Sequence, residues 1–146
     1  MKLTLAVIGK LRNSSLQQVE KNYLKRLHFL QLKIVELKSH SSDLEKEQIE
    51  IENFLKTNQF SPQQTILLTE KGQAWDSKQL SQKIQQLAPC VLLIGGAMGW
   101  SADFLKRYPI QMSLSPLTFP HQLARVLVVE QIYRAQCLLT SHPYHH

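Results

Sequence analysis

Three stretches of this 146-residue chain gather residue types that could hold a ligand. The first is Gly95-Gly96-Ala97-Met98-Gly99, behind a wholly apolar run. Glycine has no Cβ, so backbone there can approach a bound group closely. The spacing is G-G-x-x-G. That is neither the dinucleotide fingerprint nor a P-loop, which would also need Lys-Ser/Thr. A plain tight turn would use the same glycines. The second stretch is Leu114-Ser115-Pro116-Leu117-Thr118-Phe119-Pro120-His121. Apolar side chains beside free backbone amides suit a flat heterocycle such as adenine. A rigid connection into a proline-initiated helix would use them equally. The third is Leu68-Thr69-Glu70, at the end of another apolar run.

The tail concentrates His142, Tyr144, His145 and His146. No carboxylate or cysteine accompanies them, so no metal is expected. His28 and His40 read as surface or boundary residues. No Ser-His-Asp order, nucleophile elbow or carboxylate pair is present. Charge is uneven: net +6 over residues 1–38, −3 over 39–80 and +3 over 81–146. A basic segment favours a polyanion such as RNA or DNA. Lys10, Arg12, Lys21, Lys25 and Arg26 are the candidates for phosphate contacts, against the plainer reading of a solvated face.

These stretches need a scaffold. Residues 3–9 read as a buried strand ending at Gly9. Ser14 and Gln17 form a candidate capping box. Leu16, Val19, Tyr23, Leu24 and Leu27 follow at helical spacing. Residues 32–37 read as a second strand. Ser42 and Glu45 predict a second capped helix, with Leu44, Ile51, Phe54 and Leu55 on one face. Residues 65–68 are a third strand with a turn at Lys71-Gly72. Asp76 and Gln79 cap a third helix. Residues 90–96 are apolar up to the double glycine, as a parallel strand covered on both faces would be. Ser101 caps a short helix that Pro109 stops. Residues 110–115 are a fifth strand. Pro120 falls in the first turn of a last helix reaching about Leu139. That helix, with Leu123, Val126, Leu127, Val128, Val129 and Ile132, needs cover on two fronts: its own sheet and a second copy in a two-fold dimer.

Strand and helix alternate throughout. The class is α/β, a mostly parallel five-stranded sheet flanked by helices, one domain over residues 1–146. In such sheets ligands bind beyond the carboxyl ends of the strands, where the three stretches fall. At 43% hydrophobic and 19% charged, the composition excludes a disordered tail, a coiled-coil rod and a collagenous repeat. The N-terminal apolar stretch is too short for a signal segment. No run approaches the ~18 apolar residues of a membrane span. A cytoplasmic protein is expected. Cys90 and Cys137 read as two buried free thiols.

Residues 92–96 (LLIGG), 113–135 (SLSPLTFPHQLARVLVVEQIYRA) and 142–145 (HPYH) closely resemble the RlmH family. The opening MKLTLAVIGK and the Lys71-Gly72…Trp75-Asp76 stretch fit it too. Its members are SPOUT methyltransferases that methylate N3 of a pseudouridine in large-subunit ribosomal RNA with S-adenosyl-L-methionine. The resemblance spans the chain. It implies a single-domain SPOUT fold with a C-terminal trefoil knot, an exception to the usual unthreaded topology. It implies a homodimer through the last helix, acting on the assembled ribosome. It places the cofactor against Leu68, Gly95, Gly96, Leu114, Ser115, Pro116, Leu117, Thr118 and Phe119. Tyr144 and His145 should lie near a cofactor pocket, the partner's included. One departure stands out: relatives usually carry Lys or Arg after the YH, where this chain has His146, largely neutral at pH 7.

Methylating an imide nitrogen requires losing its proton, so a general base is useful. The candidates are His145, Tyr144 and His121, in that order. Arg125 or Arg134 could stabilise charge on the base's carbonyls or, with Lys10, Arg12, Lys25 and Arg26, contact RNA. Two rival readings remain at this stage: a SPOUT enzyme with another RNA target, and a non-catalytic RNA-binding module of the same fold. A flavodoxin-like nucleotide binder is a weaker third.

Overall fold

The structure, a computed structural model, describes residues 1–41 and 43–145. Ser42 and His146 lie outside the described residues, as does the Ser42 half of the expected second capping box. Five strands form one sheet: β1 Lys2–Ile8, β2 Gln31–Leu37, β3 Thr65–Ala74, β4 Cys90–Ile94 and β5 Gln111–Ser113. The order is β2-β1-β4-β3-β5 and every pairing is parallel. The expectation of a mostly parallel sheet thus becomes an all-parallel one.

The apolar strands feed two cores because successive side chains point to opposite faces. Leu3, Leu5 and Val7 of β1, with Cys90, Leu92 and Ile94 of β4, face one way. They pack against Leu80 and Ile84 of α3 (Ser77–Leu87) and Val128, Val129 and Ile132 of α5 (His121–Leu139). Ala6, Ile8, Val91 and Leu93 face the other way. They meet Ile51 and Leu55 of α2 (Leu44–Thr57) and Phe104 of α4 (Ala102–Arg107). Each fully buried Leu, Ile or Phe contributes about 1.5–3 kcal/mol. α1 (Ser14–Leu24) lies against α5.

Helix ends follow local chemistry. Asp76 accepts from the Gln79 amide at 2.7 Å while Gln79 accepts from the Asp76 amide, completing the expected box. Ser101 caps α4 through the Phe104 amide. Two expectations shift. Asn13, not Ser14, caps α1, accepting from the Leu16 amide at 3.0 Å. Gln17 instead donates to the Leu11 carbonyl. Asp43 caps α2 through the Lys46 amide at 3.0 Å. The expected turn at Lys71-Gly72 is also corrected, because β3 continues through it. The register jumps between Leu68 and Gln73, both opposite Met112, so residues 69–72 bulge from the sheet.

The α1 and α5 faces are not purely apolar. Val19 stays 41% exposed while Glu20 is buried. Glu20 accepts two bonds from Arg125 of α5, at 2.8 and 2.9 Å, and Glu36 of β2 accepts a third at 2.6 Å. Gln136 is also buried. Its Oε1 accepts from the amides of His28, Phe29 and Leu30 at 2.9–3.1 Å, and its Nε2 donates to the Arg26 carbonyl. Cys90 and Cys137 are free and buried. Burial pushes the Cys90 thiol up to about 12.

Removing one member of a buried ion pair strands the others, at about 3–5 kcal/mol. Arg125→Ala is therefore expected to lower unfolding free energy by about that amount in urea titration. Burial alone would raise the Glu36 pKa, but bonds from Arg125 and the Leu11 amide outweigh it and hold the carboxyl below its ordinary value. Its contribution is present above the ordinary carboxylate pKa and lost as pH falls through the depressed one. Thermal melts on acidification should show that loss in the parent and a shallower one in Glu36→Gln.

Candidate functional site

β4, β3 and β5 are neighbours in the sheet, so their carboxyl ends open side by side. The loops leaving them enclose a cavity of about 520 Å³. That is the size of a small-ligand site. Leu68, Gly95, Gly96, Leu114, Ser115, Leu117, Thr118 and Phe119 all line it. Of the residues expected to hold a cofactor, Pro116 alone is not in the wall. His121 lines it too, at the start of α5.

The loop after β5 is shaped by its hydroxyls. Ser113 donates to the Ser115 carbonyl at 3.0 Å, and the Leu117 amide donates to the Ser115 hydroxyl at 3.0 Å. This folds the loop back on itself and leaves Leu117 68% exposed at the rim. The loop after β4 turns through Gly99, whose amide donates to the Gly96 carbonyl at 3.0 Å. Gly99 has φ +67°, where a side chain is disfavoured.

Sequence reading missed two features of this wall, the Trp100 brace and the bulge in β3. Trp100 packs against Gly95: a Cβ there would stand 3.2 Å from the indole. Its Nε1 donates to the Leu68 carbonyl at 2.9 Å, tying the β4 loop to β3. The bulge carries Thr69 and Glu70, expected from the third stretch, into the wall and adds Lys71. Bulges commonly re-aim side chains beside sites. A tryptophan directly behind a glycine loop was the available signal for the first. The bulge, a register shift between distant strands, had none.

The tail lies elsewhere within the protomer. Tyr144 and His145 are not in the pocket wall; they pack near Glu130 and Arg134 of α5. From His121 to Arg134 is roughly 20 Å along a helix. The Tyr144 hydroxyl donates to Glu130 at 3.2 Å, and its ring stacks edge-on against Tyr133. The neighbouring Tyr23 hydroxyl, then burial and Glu130, hold the Tyr144 phenol well above its ordinary pKa. Arg134 approaches His145 Nδ1 at 3.2 Å. A guanidinium only donates, so Nδ1 accepts and a neutral ring carries its proton on Nε2. Neither tail side chain presents a free basic lone pair in this arrangement.

The basic candidates divide. Lys10, Arg12, Lys21, Lys25 and Arg26 are exposed. Arg26 lies over the Tyr23 and Tyr133 rings, with centroids 6.0 and 5.7 Å away. Arg134 is held by Glu130 at 2.8 Å and stacks on Tyr144. Arg125 is a correction. It is 5% exposed and held by Glu20 and Glu36, so it cannot reach a phosphate or a base carbonyl.

The family model "Predicted SPOUT methyltransferase" matches residues 1–145, and the chain belongs to that methyltransferase family. Similar curated proteins carry the name ribosomal RNA large subunit methyltransferase H. The protein of that name from Prochlorococcus marinus (strain NATL2A) is 39% identical over 143 residues, covering 97% of this chain and 93% of that one. That of Flavobacterium psychrophilum is 36% identical, covering 100% and 99%. That of Pelobacter propionicus is 35% identical, covering all of both. A solved chain from Bacillus anthracis, proposed to be an RNA methyltransferase, superposes with a TM-score of 0.51 at 10% identity, over 97% of this chain and 96% of that one. It speaks to the fold alone.

The bulge also brings Gly72 against β5. A Cβ there would stand 2.7 Å from both the backbone nitrogen and carbon of Met112. Backbone on both sides cannot give way as a flexible side chain would. Gly72→Ala is expected to destabilise by about 1–3 kcal/mol or more, read as a lower midpoint in denaturant titration.

Proposed function

We propose that this chain transfers a methyl group from S-adenosylmethionine to N3 of a pseudouridine in large-subunit ribosomal RNA. One coincidence carries the reading. The three strand-end stretches at residues 68, 95–96 and 114–119, far apart in the chain, meet in a single pocket of cofactor size. Relatives that match this chain at 35–39% identity along nearly their whole length are named for methylating large-subunit ribosomal RNA.

The pocket fits the donor's chemistry. Gly95 lets the Trp100 ring lie flush against the backbone of the wall, where a larger residue would push the ring out of place. The apolar side chains of Leu114, Leu117 and Phe119 can cover a purine face. The bound donor would supply an activated methyl on sulfonium. The protein's work is then mostly positioning. Loops fixed by Ser113, Ser115 and Trp100 hold the donor side without rearrangement on binding.

The acceptor nitrogen must lose its proton. Within one protomer His121 is the candidate at the pocket. Tyr144 and His145 enter this reading through a homodimer, in which one protomer's tail would reach its partner's pocket. Val19 of α1 and Leu123 of α5, 41% and 38% exposed on two helices that pack together, support such an interface. Leaving the Arg134 contact would free the His145 lone pair for base catalysis. The C-terminal trefoil knot belongs to the same reading, and the backbone-to-backbone approach of Gly72 to Met112 is consistent with it. Exposed Lys10, Arg12, Lys25 and Arg26 would contact phosphates. A target inside folded RNA must be turned outward to meet the donor. On this reading the chain recognises the assembled ribosome in the cytoplasm. Among the described residues no helix is long and apolar enough to cross a membrane.

The first experiment is calorimetric titration with S-adenosylmethionine. Saturable binding near one donor per subunit or per dimer is expected, and Gly95→Val should abolish it by driving methyls into the Trp100 ring. Ribosomes lacking the modification should then gain one methyl mass at a pseudouridine of the large-subunit RNA. Methylation at another nucleotide would favour a different RNA target. No donor binding would favour a non-catalytic RNA-binding module.

A further inference from the structure

The glycine loop of the pocket is braced from outside. On the opposite face of the sheet from α5, helix α2 presents two consecutive side chains to residues 95–101. Glu47 is 5% exposed and does not line the cavity. Its Oε2 accepts from the Ser39 hydroxyl at 3.2 Å and the His40 amide at 3.0 Å. Its Oε1 lies 2.5 Å from where a Cβ on Gly96 would stand. Gln48 accepts from the Ser101 amide at 2.8 Å. Together with the Trp100 bond to the Leu68 carbonyl, the loop is bonded at positions 100 and 101 and packs at Gly96 against the Glu47 carboxylate. Burying a carboxylate costs free energy that an apolar side chain of similar size would not. This one joins the link after β2 to the loop after β4.

We infer that Glu47 is a positioning residue for the donor pocket, acting through Gly96. This rests on the reading of that cavity as the donor site. Gly95 and Gly96 then lack side chains for different reasons. Gly95 fits against the Trp100 ring inside the wall. Gly96 fits against a carboxylate behind it. Glu47 sets the backbone path of residues 95–99, and with it the shape of the wall offered to the donor. It touches no reacting atom, so it influences donor affinity rather than the chemical step.

The test compares Glu47→Gln, Glu47→Ala, Gly96→Ala and the double variant Glu47→Ala/Gly96→Ala with the parent. Hydrogen exchange of ligand-free protein comes first. Glu47→Ala should speed exchange in residues 96–101 while the β1 and α5 cores keep parental protection. Calorimetry should then show S-adenosylmethionine binding weakened about tenfold, with kcat at saturating donor close to parental. Gly96→Ala should weaken binding as well. The double variant should bind more tightly than Gly96→Ala alone, because the new methyl fills space the carboxylate has left. Parental exchange in residues 96–101 of Glu47→Ala, or strictly additive effects in the double variant, would overturn the inference. If Glu47→Ala loses protection throughout, the near-isosteric Glu47→Gln decides: local acceleration supports the role and parental exchange defeats it. A parent that binds no donor defeats the proposed function instead, and the exchange comparison still judges Glu47.

Discussion

The Arg125 guanidinium, held between Glu20 and Glu36, is the contact on which the arrangement of this protein depends. Three secondary-structure elements meet there: α5 supplies the cation, α1 and β2 the anions. Burial works against the charge, but the two carboxylates outweigh it and raise the Arg125 pKa above its ordinary value. An apolar helix lying on an apolar sheet has little to stop it sliding. A buried cation with two fixed partners removes that freedom, as buried polar groups do where they set register. Gln122 of the same helix accepts from the Arg12 and Asn13 amides, and Gln136 from three amides of residues 28–30. The C-terminal helix is thus pinned at three points along its length by polar side chains.

That pinning matters because the pocket hangs from the start of the same helix. His121 and Ala124 line the cavity, and the loop before them forms much of its wall. A turn further on, Arg125 anchors to the N-terminal half of the chain. The β3 bulge closes the opposite side with Thr69, Glu70 and Lys71. The site is therefore built from residues 68–124, but its dimensions are set by contacts with residues 12–48 that never touch it.

Much of this was legible in the sequence. The all-apolar run at residues 90–94 announced a covered parallel strand, and it is one. Asp76 with Gln79 announced a helix start, because a capping box is a local pattern satisfied within four residues. The three strand ends were found because parallel sheets gather ligands there. What escaped depends on partners far away in sequence. Glu20 is a carboxylate on the same helix face as Leu16 and Leu24, and only Arg125, 105 residues on, makes its burial tolerable. Gln136 resembles any surface glutamine until its three amides are known. Asn13 displaced Ser14 as the cap because both residue types serve equally well and the chain direction before the helix decides. The turn expected at Gly72 was a reasonable use of glycine, but here the residue serves close approach between strands. The tail's place against α5 was not readable either, since nothing local fixes it.

Gln136 also carries a consequence for how the molecule is made. The loop at residues 28–30 leaves the ribosome early, and the side chain that satisfies its amides is added 106–108 residues later. At ~5–20 residues per second that delay is roughly 5–20 s. Through that interval the loop has only solvent, or a chaperone, for its unpaired amides. Vectorial synthesis therefore delivers this protein as a waiting half and a completing half, and its commitment to the native state waits until α5 has been made.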